Sequence, residues 1–320
     1  MHDLSERLIS GDVRALARAL SLVEDRRPGY TEVLKDCYRR AGGARVIGVT
    51  GPPGAGKSTL VDKLIAAYRA QGLRVAVAAV DPSSAFSGGA ILGDRIRMQD
   101  RATDPGVYIR SMATRGHMGG LAVATGDALT VLDAAGFDVI LVETVGVGQD
   151  EVDVVREADT VLVILVPGLG DDIQAIKAGI MEIADVFVIN KADKDGVDRV
   201  ERELHSLLTL PGEVQAWTPP VVRTVASRSE GIEDLLAAME EHRRHLASDD
   251  GGQHRLRMKY GQRFRDILSE RFLMELTARV LKPEAEEELL RRFLAREEDP
   301  YSAAERLLEK ISWEERPLED

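Results

Sequence analysis

Between residues 45 and 226, short apolar runs alternate with longer stretches of helical period. The runs 45–50, 74–80, 107–111, 138–143, 160–166, 185–190 and 221–225 are rich in Val, Ile and Ala. They lack strict apolar–polar alternation, as expected of strands covered on both faces. Helices are expected at 57–70, 120–135, 150–157, 171–183, 196–209 and 231–246. Strands alternating with helices predict an α/β fold with a doubly wound, mostly parallel sheet.

The two ends differ from this centre. Residues 3–41 read as helical, with Leu4, Leu8, Ile9, Val13, Leu16, Leu20 and Val23 at helical spacing. Pro28-Gly29 interrupts the pattern, and Tyr30 to Arg39 resumes it. This extension is expected to pack on the central domain. The polar segment 247–255, with its paired glycines, reads as a linker or hinge. Beyond it Phe264, Leu268, Phe272, Leu276 and Val280 step by four, with Ile267 and Leu273 alongside, as one apolar face of a long helix. Pro283 ends it, and Ala285–Ala295 and Ala303–Ile311 give two shorter helices. So small a helical unit buries little core by itself. Its apolar face predicts packing against a second copy, hence a homodimer. The expected division is a helical extension over 1–42, an α/β domain over 43–247 and a helical dimerisation arm over 248–320.

Charge and composition narrow the function classes. The chain has 320 residues and a net charge of -12. That balance argues against a general nucleic-acid binder, since a phosphate backbone requires a basic surface. Cys37 is the only cysteine, so neither a disulfide framework nor a Cys-rich metal site is expected. The first residues lack a basic and then apolar leader pattern. The longest apolar run, Thr160 to Val166, is strand-sized rather than membrane-sized. A cytoplasmic protein is the expectation.

The stretch Gly51-Pro52-Pro53-Gly54-Ala55-Gly56-Lys57-Ser58-Thr59 changes the picture most. It follows one predicted strand and opens a helix, the context of a phosphate-binding P-loop. Its glycines let the backbone approach phosphates, and its N–H groups face an anion at the helix N-terminus. Lys57 can reach the β- and γ-phosphates, and the Ser58 hydroxyl can ligate Mg²⁺.

Asn190-Lys191-Ala192-Asp193 follows another predicted strand. The Asp193 carboxylate can accept from guanine N1–H and from its 2-amino group, whereas adenine offers neither donor. Asn190 and Lys191 would brace the loop and cover the base. Ser227, in the run Val225-Ala226-Ser227-Arg228-Ser229, can direct its backbone N–H at guanine O6; Ser227, Arg228 and Ser229 are read as part of the nucleotide site. Glu143-Thr144-Val145-Gly146 closes a strand, which places Glu143 to hold Mg²⁺ directly or through water and the Gly146 N–H to sense the γ-phosphate. Val147 occupies the place where Ras-type enzymes carry a water-orienting Gln, and Gln149 comes two positions later. Slow intrinsic hydrolysis is therefore expected. Asp81 and Asp94 are candidate Mg²⁺ or water ligands near strand ends. The loop from Pro167 to Gln174, with Lys177 after it, reads either as a switch or as an ordinary capped loop. His117 reads as a loop residue. His242 and His245, spaced i, i+3 beside Arg243 and Arg244, read as a solvated basic face rather than a metal site.

These motifs together, with Asp81-Pro82-Ser83-Ser84, Gly88-Gly89…Leu92-Gly93-Asp94 and Glu143-Thr-Val-Gly-Val-Gly-Gln149, resemble the MeaB/ArgK family of methylmalonyl-CoA mutase-associated GTPases. The resemblance covers nearly the whole chain. It implies a homodimeric G-protein chaperone that uses GTP/GDP and Mg²⁺. Such proteins gate adenosylcobalamin loading of a cobalamin-dependent acyl-CoA mutase and protect or reactivate it. It implies phosphate and Mg²⁺ roles for Lys57 and Ser58, and a metal and switch site from Asp81, Asp94 and Glu143. It implies a switch over 166–177, with Lys177 serving partner-triggered hydrolysis. Two alternatives are a metallochaperone GTPase, which would need Cys or His ligands near the P-loop, and a kinase of a transport component, for which no acceptor site is marked.

Overall fold

In the computed structural model the described residues are 2–81, 103–113, 120–144, 157–168, 183–208, 217–248, 250–281 and 283–309. Three helices lead: α1 (His2–Ile9), α2 (Val13–Glu24) and α3 (Tyr30–Tyr38). The centre comprises β1 (Arg45–Thr50), α4 (Lys57–Ala70), β2 (Val75–Asp81), β3 (Val107–Ala113), α5 (Gly120–Ala134), β4 (Val139–Thr144), β5 (Thr160–Leu165), β6 (Val186–Asn190), α6 (Val197–Leu208), β7 (Val221–Thr224) and α7 (Ile232–Ser248). Three helices close it: α8 (Asp250–Arg279), α9 (Pro283–Leu294) and α10 (Pro300–Glu309).

The strands form one parallel sheet in the order β3-β2-β4-β1-β5-β6-β7. Every residue of β4, β5 and β6 is buried, which explains their continuous apolar sequence. Alternate residues serve two cores. Val46, Ile140, Val142, Val161, Val163, Phe187 and Ile189 meet α5, α6 and the leading helices. Ile47, Val49, Leu141, Leu162, Ile164 and Val188 meet α4 and α7.

The leading helices pack chiefly on α5. Arg110 of β3 donates to both carboxylate oxygens of Glu24, and Arg26 pairs with buried Asp127 of α5. Cys37 is buried in α3, and burial pushes its thiol pKa up to about 12, so it stays protonated and unreactive. One expectation fails here. The apolar spacing from Leu4 to Val23 continues through residues 10–12, but the helix does not. Asp12 caps α2, its Oδ1 accepting from Arg14 N at 2.8 Å and Ala15 N at 3.1 Å.

A second difference concerns 247–255. Residues from Asp250 onward are helical, not linker. The paired glycines mark a close approach: a Cβ on Gly252 would lie 1.9 Å from the Leu246 carbonyl oxygen. The charged residues that follow are anchors. Arg255 donates to both oxygens of Asp185 at 2.6 and 2.7 Å. Lys259 reaches Asp159 at 3.0 Å, and Arg263 donates to Gly126 O at 2.9 Å and Thr130 Oγ1 at 2.8 Å. These three bases, four residues apart, share one side of α8. Asp185 and Asp159 also accept the backbone N–H groups of Val161 and Val46, at 2.8 and 3.0 Å. The start of α8 is thus fastened to the amino-terminal edge of the sheet.

The chain divides into two compact units, Met1–Arg263 and Phe264–Asp320. Within the second, Arg292 and Arg306 pair with Glu298 at 3.2 and 2.6 Å, and Leu289 and Ala303 are buried. Phe264 and Leu268 remain exposed.

His242 corrects a third expectation, since it is buried rather than solvated. Its Nδ1 lies 2.9 Å from Thr160 Oγ1, its Nε2 lies 3.3 Å from Asp185, and Trp217 packs on its ring. Burial lowers its pKa below the ordinary 6.5; Asp185 and Asp159 oppose that shift, while Arg255 and His245 add to it. The unfolded chain therefore binds the extra proton first, and stability falls as pH drops below 6.5. Urea unfolding at pH 7.5 and 5.5 should show this loss, and His242→Gln should flatten it.

Candidate nucleotide-binding site

The sheet order sets the location. From β1 the chain moves to one side for β2 and β3, then returns to the other side for β5, β6 and β7. Ligands in such sheets bind at the carboxyl ends of the strands where the order reverses. The loop 51–56 leaves β1 there and runs into α4.

Lys57 is buried, with Nζ donating to Gly51 O at 2.6 Å and Pro52 O at 3.1 Å. Its ammonium is held inside its own loop, as a phosphate cradle requires. Glu143 is also buried and accepts from Ser58 Oγ at 2.5 Å. Strand register produces that contact, because β4 lies beside β1 with Glu143 level with Val49. Asp81 ends β2 one residue beyond Val80, which is level with Thr144.

Asn190, at the end of β6, joins the other half of the site to the loop. Its Nδ2 donates to Ala55 O at 2.8 Å, while its Oδ1 accepts from Thr224 Oγ1 and Ala226 N, both at 3.1 Å. Gly56 must be glycine for this: its φ is +92°, and a Cβ would lie 2.4 Å from Asn190 Nδ2. Lys191 donates to Gly54 O at 2.7 Å. Asp193 meets Arg228, whose Nη1 lies 3.3 Å from its Oδ2. Ser227, Arg228 and Ser229 are exposed on the turn after β7.

The structure thus brings together Gly51, Pro52, Gly54, Ala55, Gly56, Lys57, Ser58, Glu143, Asn190, Lys191, Asp193 and the 227–229 turn. Pro53 and Thr59 are exposed on the same loop and helix. Asp94, Gly146, Val147, Gln149, Lys177 and His117 lie outside the described residues, as do most of the helices expected at 150–157 and 171–183. Sequence reasoning missed Glu230, which holds Arg228, and Thr224, which orients Asn190; neither carries a motif signature. A cleft of about 1060 Å³ opens at the opposite edge of the sheet, bordered by Arg45, Tyr68, Thr160 and Lys259, and contains none of these residues.

Residues 16–280 match the family model described as methylmalonyl Co-A mutase-associated GTPase MeaB. The chain belongs to the MeaB family. It is a P-loop GTPase with an all-parallel α/β sheet. It is 52% identical over 312 residues to a putative GTPase of Pyrococcus abyssi, covering 97% of this chain and 96% of that one. It is 41% identical to the GTPase ArgK of Escherichia coli, with 73% of each chain covered. The mouse protein named methylmalonic aciduria type A homolog, mitochondrial, is 37% identical, with 73% of this chain and 61% of that protein covered. A crystal structure of a LAO/AO transport system kinase superposes with a TM-score of 0.69 at 28% identity, covering 96% of both chains. Among the described residues of this MeaB-family protein, no helix is long and apolar enough to cross a membrane.

Proposed function

We propose that this MeaB-family GTPase is a guanine-nucleotide switch serving a cobalamin-dependent acyl-CoA mutase of the methylmalonyl-CoA type. It gates adenosylcobalamin loading and protects or reactivates the mutase. The observation that carries the switch reading is the Asn190 side chain, which ties the phosphate loop to the turn after β7 in one hydrogen-bonded unit. The mutase is supported by the family description and by the name of the mouse relative.

In this reading Asp193 accepts from guanine N1–H and the 2-amino group, and the turn 227–229 faces O6. Lys57 exchanges its loop carbonyls for phosphate oxygens. The Ser58 hydroxyl and the Glu143 carboxylate are adjacent hard oxygen donors, a set that suits Mg²⁺. That ion would neutralise charge on the phosphates. Asp81 and Asp94 complete the metal surroundings, Gly146 senses the γ-phosphate, and Lys177 acts when the mutase docks. The exposed Phe264 and Leu268 of α8 support a homodimer through the carboxyl-terminal helices.

Glu143→Ala should raise the Mg²⁺ concentration for half-maximal GTP hydrolysis by roughly 10- to 100-fold. An unchanged Mg²⁺ titration would remove Glu143 from the metal site. The mutase assignment is tested by pull-down with GDP and with a non-hydrolysable GTP analogue. The expected result is retention of the mutase in one nucleotide state more than in the other. Single-turnover GTP cleavage should be slow for the chain alone and faster with the mutase. Failure to retain the mutase in either state overturns the assignment.

A further inference from the structure

The geometry points to Arg228 as a latch on the base-reading carboxylate, its guanidinium occupying Asp193 when no guanine is bound. This rests on the reading of Asp193 as the guanine acceptor. Guanine offers N1–H and the 2-amino group as two adjacent donors. A guanidinium N–H is a charged donor that the same carboxylate oxygen accepts, so one N–H of Arg228 competes with one guanine donor. In the structure the Arg228 Nη1 donates to Asp193 Oδ2 at 3.3 Å.

The arginine is held there by its own turn. Its Nε and Nη2 donate to the two oxygens of Glu230 at 2.7 and 3.2 Å. Glu230 in turn pairs antiparallel with Val225: Val225 N donates to Glu230 O at 3.1 Å, and Glu230 N returns to Val225 O at 3.3 Å. The Arg228 N–H donates to Val225 O at 2.9 Å, and the Asn190 amide fixes Ala226 in the same turn. Glu230 therefore positions the guanidinium, and the third nitrogen is left pointing at Asp193.

Binding guanine must break the contact with Asp193 while Glu230 retains the arginine. The latch lowers guanine affinity by the worth of an exposed ion pair and recloses as the base leaves, which favours exchange. It acts on the base alone. The phosphates meet Lys57 and the loop, whereas the side-chain hydrogen bonds of Arg228 run to Glu230 and Asp193 among the described residues.

The test is equilibrium binding to the full chain, with GDP and with pyrophosphate as probes. Arg228→Ala should bind GDP roughly two- to fivefold tighter, the range open to an exposed pair, and leave pyrophosphate unchanged. The substituted side chain is on the surface, and thermal unfolding checks that the variant is folded. Unchanged GDP affinity would overturn the latch. Weaker GDP binding would also overturn it, placing Arg228 in contact with the bound nucleotide. Asp193→Asn separates the two layers. If that variant keeps full GDP affinity, the base reading itself fails. If it loses GDP while Arg228→Ala gains nothing, only the latch fails. With both readings correct, Arg228→Ala adds no gain for xanthosine diphosphate in the Asp193→Asn background.

Discussion

Asp193→Asn should shift the base preference of this GTPase from guanine to xanthine. Asparagine keeps one oxygen to accept N1–H but turns an N–H₂ toward C2. Guanine carries an amino donor at C2, so two donors face each other. Xanthine carries a carbonyl there, which accepts the new N–H. GDP affinity should fall by roughly 10²- to 10³-fold, and xanthosine diphosphate should become the better ligand. Sites that fully bury such a carboxylate discriminate more strongly, but the Asp193 side chain is 39% exposed before the base arrives. Competition titration with both diphosphates reads the switch. Undiminished GDP binding would mean that another group reads the base.

The sheet could be read from sequence because burial on both faces leaves a local trace. β1 and α4 begin and end where the apolar run and the helical period do, and the remaining strands shift by one or two residues. The P-loop and the Asn190–Asp193 loop are short segments whose chemistry is contained in their own residues. What escaped detection depends on partners distant in sequence. The bases Arg255, Lys259 and Arg263 look like a solvated helix face until Asp185, Asp159 and the Gly126–Thr130 turn of α5 are placed beside them. His242 looked exposed because its neighbours Arg243 and Arg244 are, yet a helix rotates each residue by about 100° from the last. The Gly251-Gly252 pair signalled flexibility by composition, whereas Gly252 is there because Leu246 comes too close for a side chain. Asp12 was hidden by apolar spacing that happens to stay in phase across a cap.

Arg255→Ala should destabilise the protein more than Asp185→Asn, although both remove the same ion pair. The partners are buried unequally: the Asp185 side chain is 6% exposed and that of Arg255 39%. Losing the arginine strands a carboxylate inside the protein, left among the described residues with the Val161 N–H and His242 beside it. That should cost about 3 kcal/mol, the lower end for breaking a buried pair. Asparagine at 185 removes the charge but retains an oxygen for Val161 N–H, and the orphaned Arg255 can reach water, so about 1–2 kcal/mol is expected. The double variant should cost less than Arg255→Ala alone, because asparagine at 185 removes the stranded charge. Trp217 reports the transition directly, since its indole N–H donates to the Asp185 carbonyl at 2.9 Å. Equal costs for the two single variants would mean that Asp185 is compensated by something other than Arg255. GDP affinity of the folded Arg255→Ala protein should stay within about twofold of the parent. Asp185 precedes β6 while Asn190 ends it, a separation of roughly 15 Å along the strand. A large loss of GDP affinity would instead make the Asp185–Arg255 pair part of the nucleotide switch.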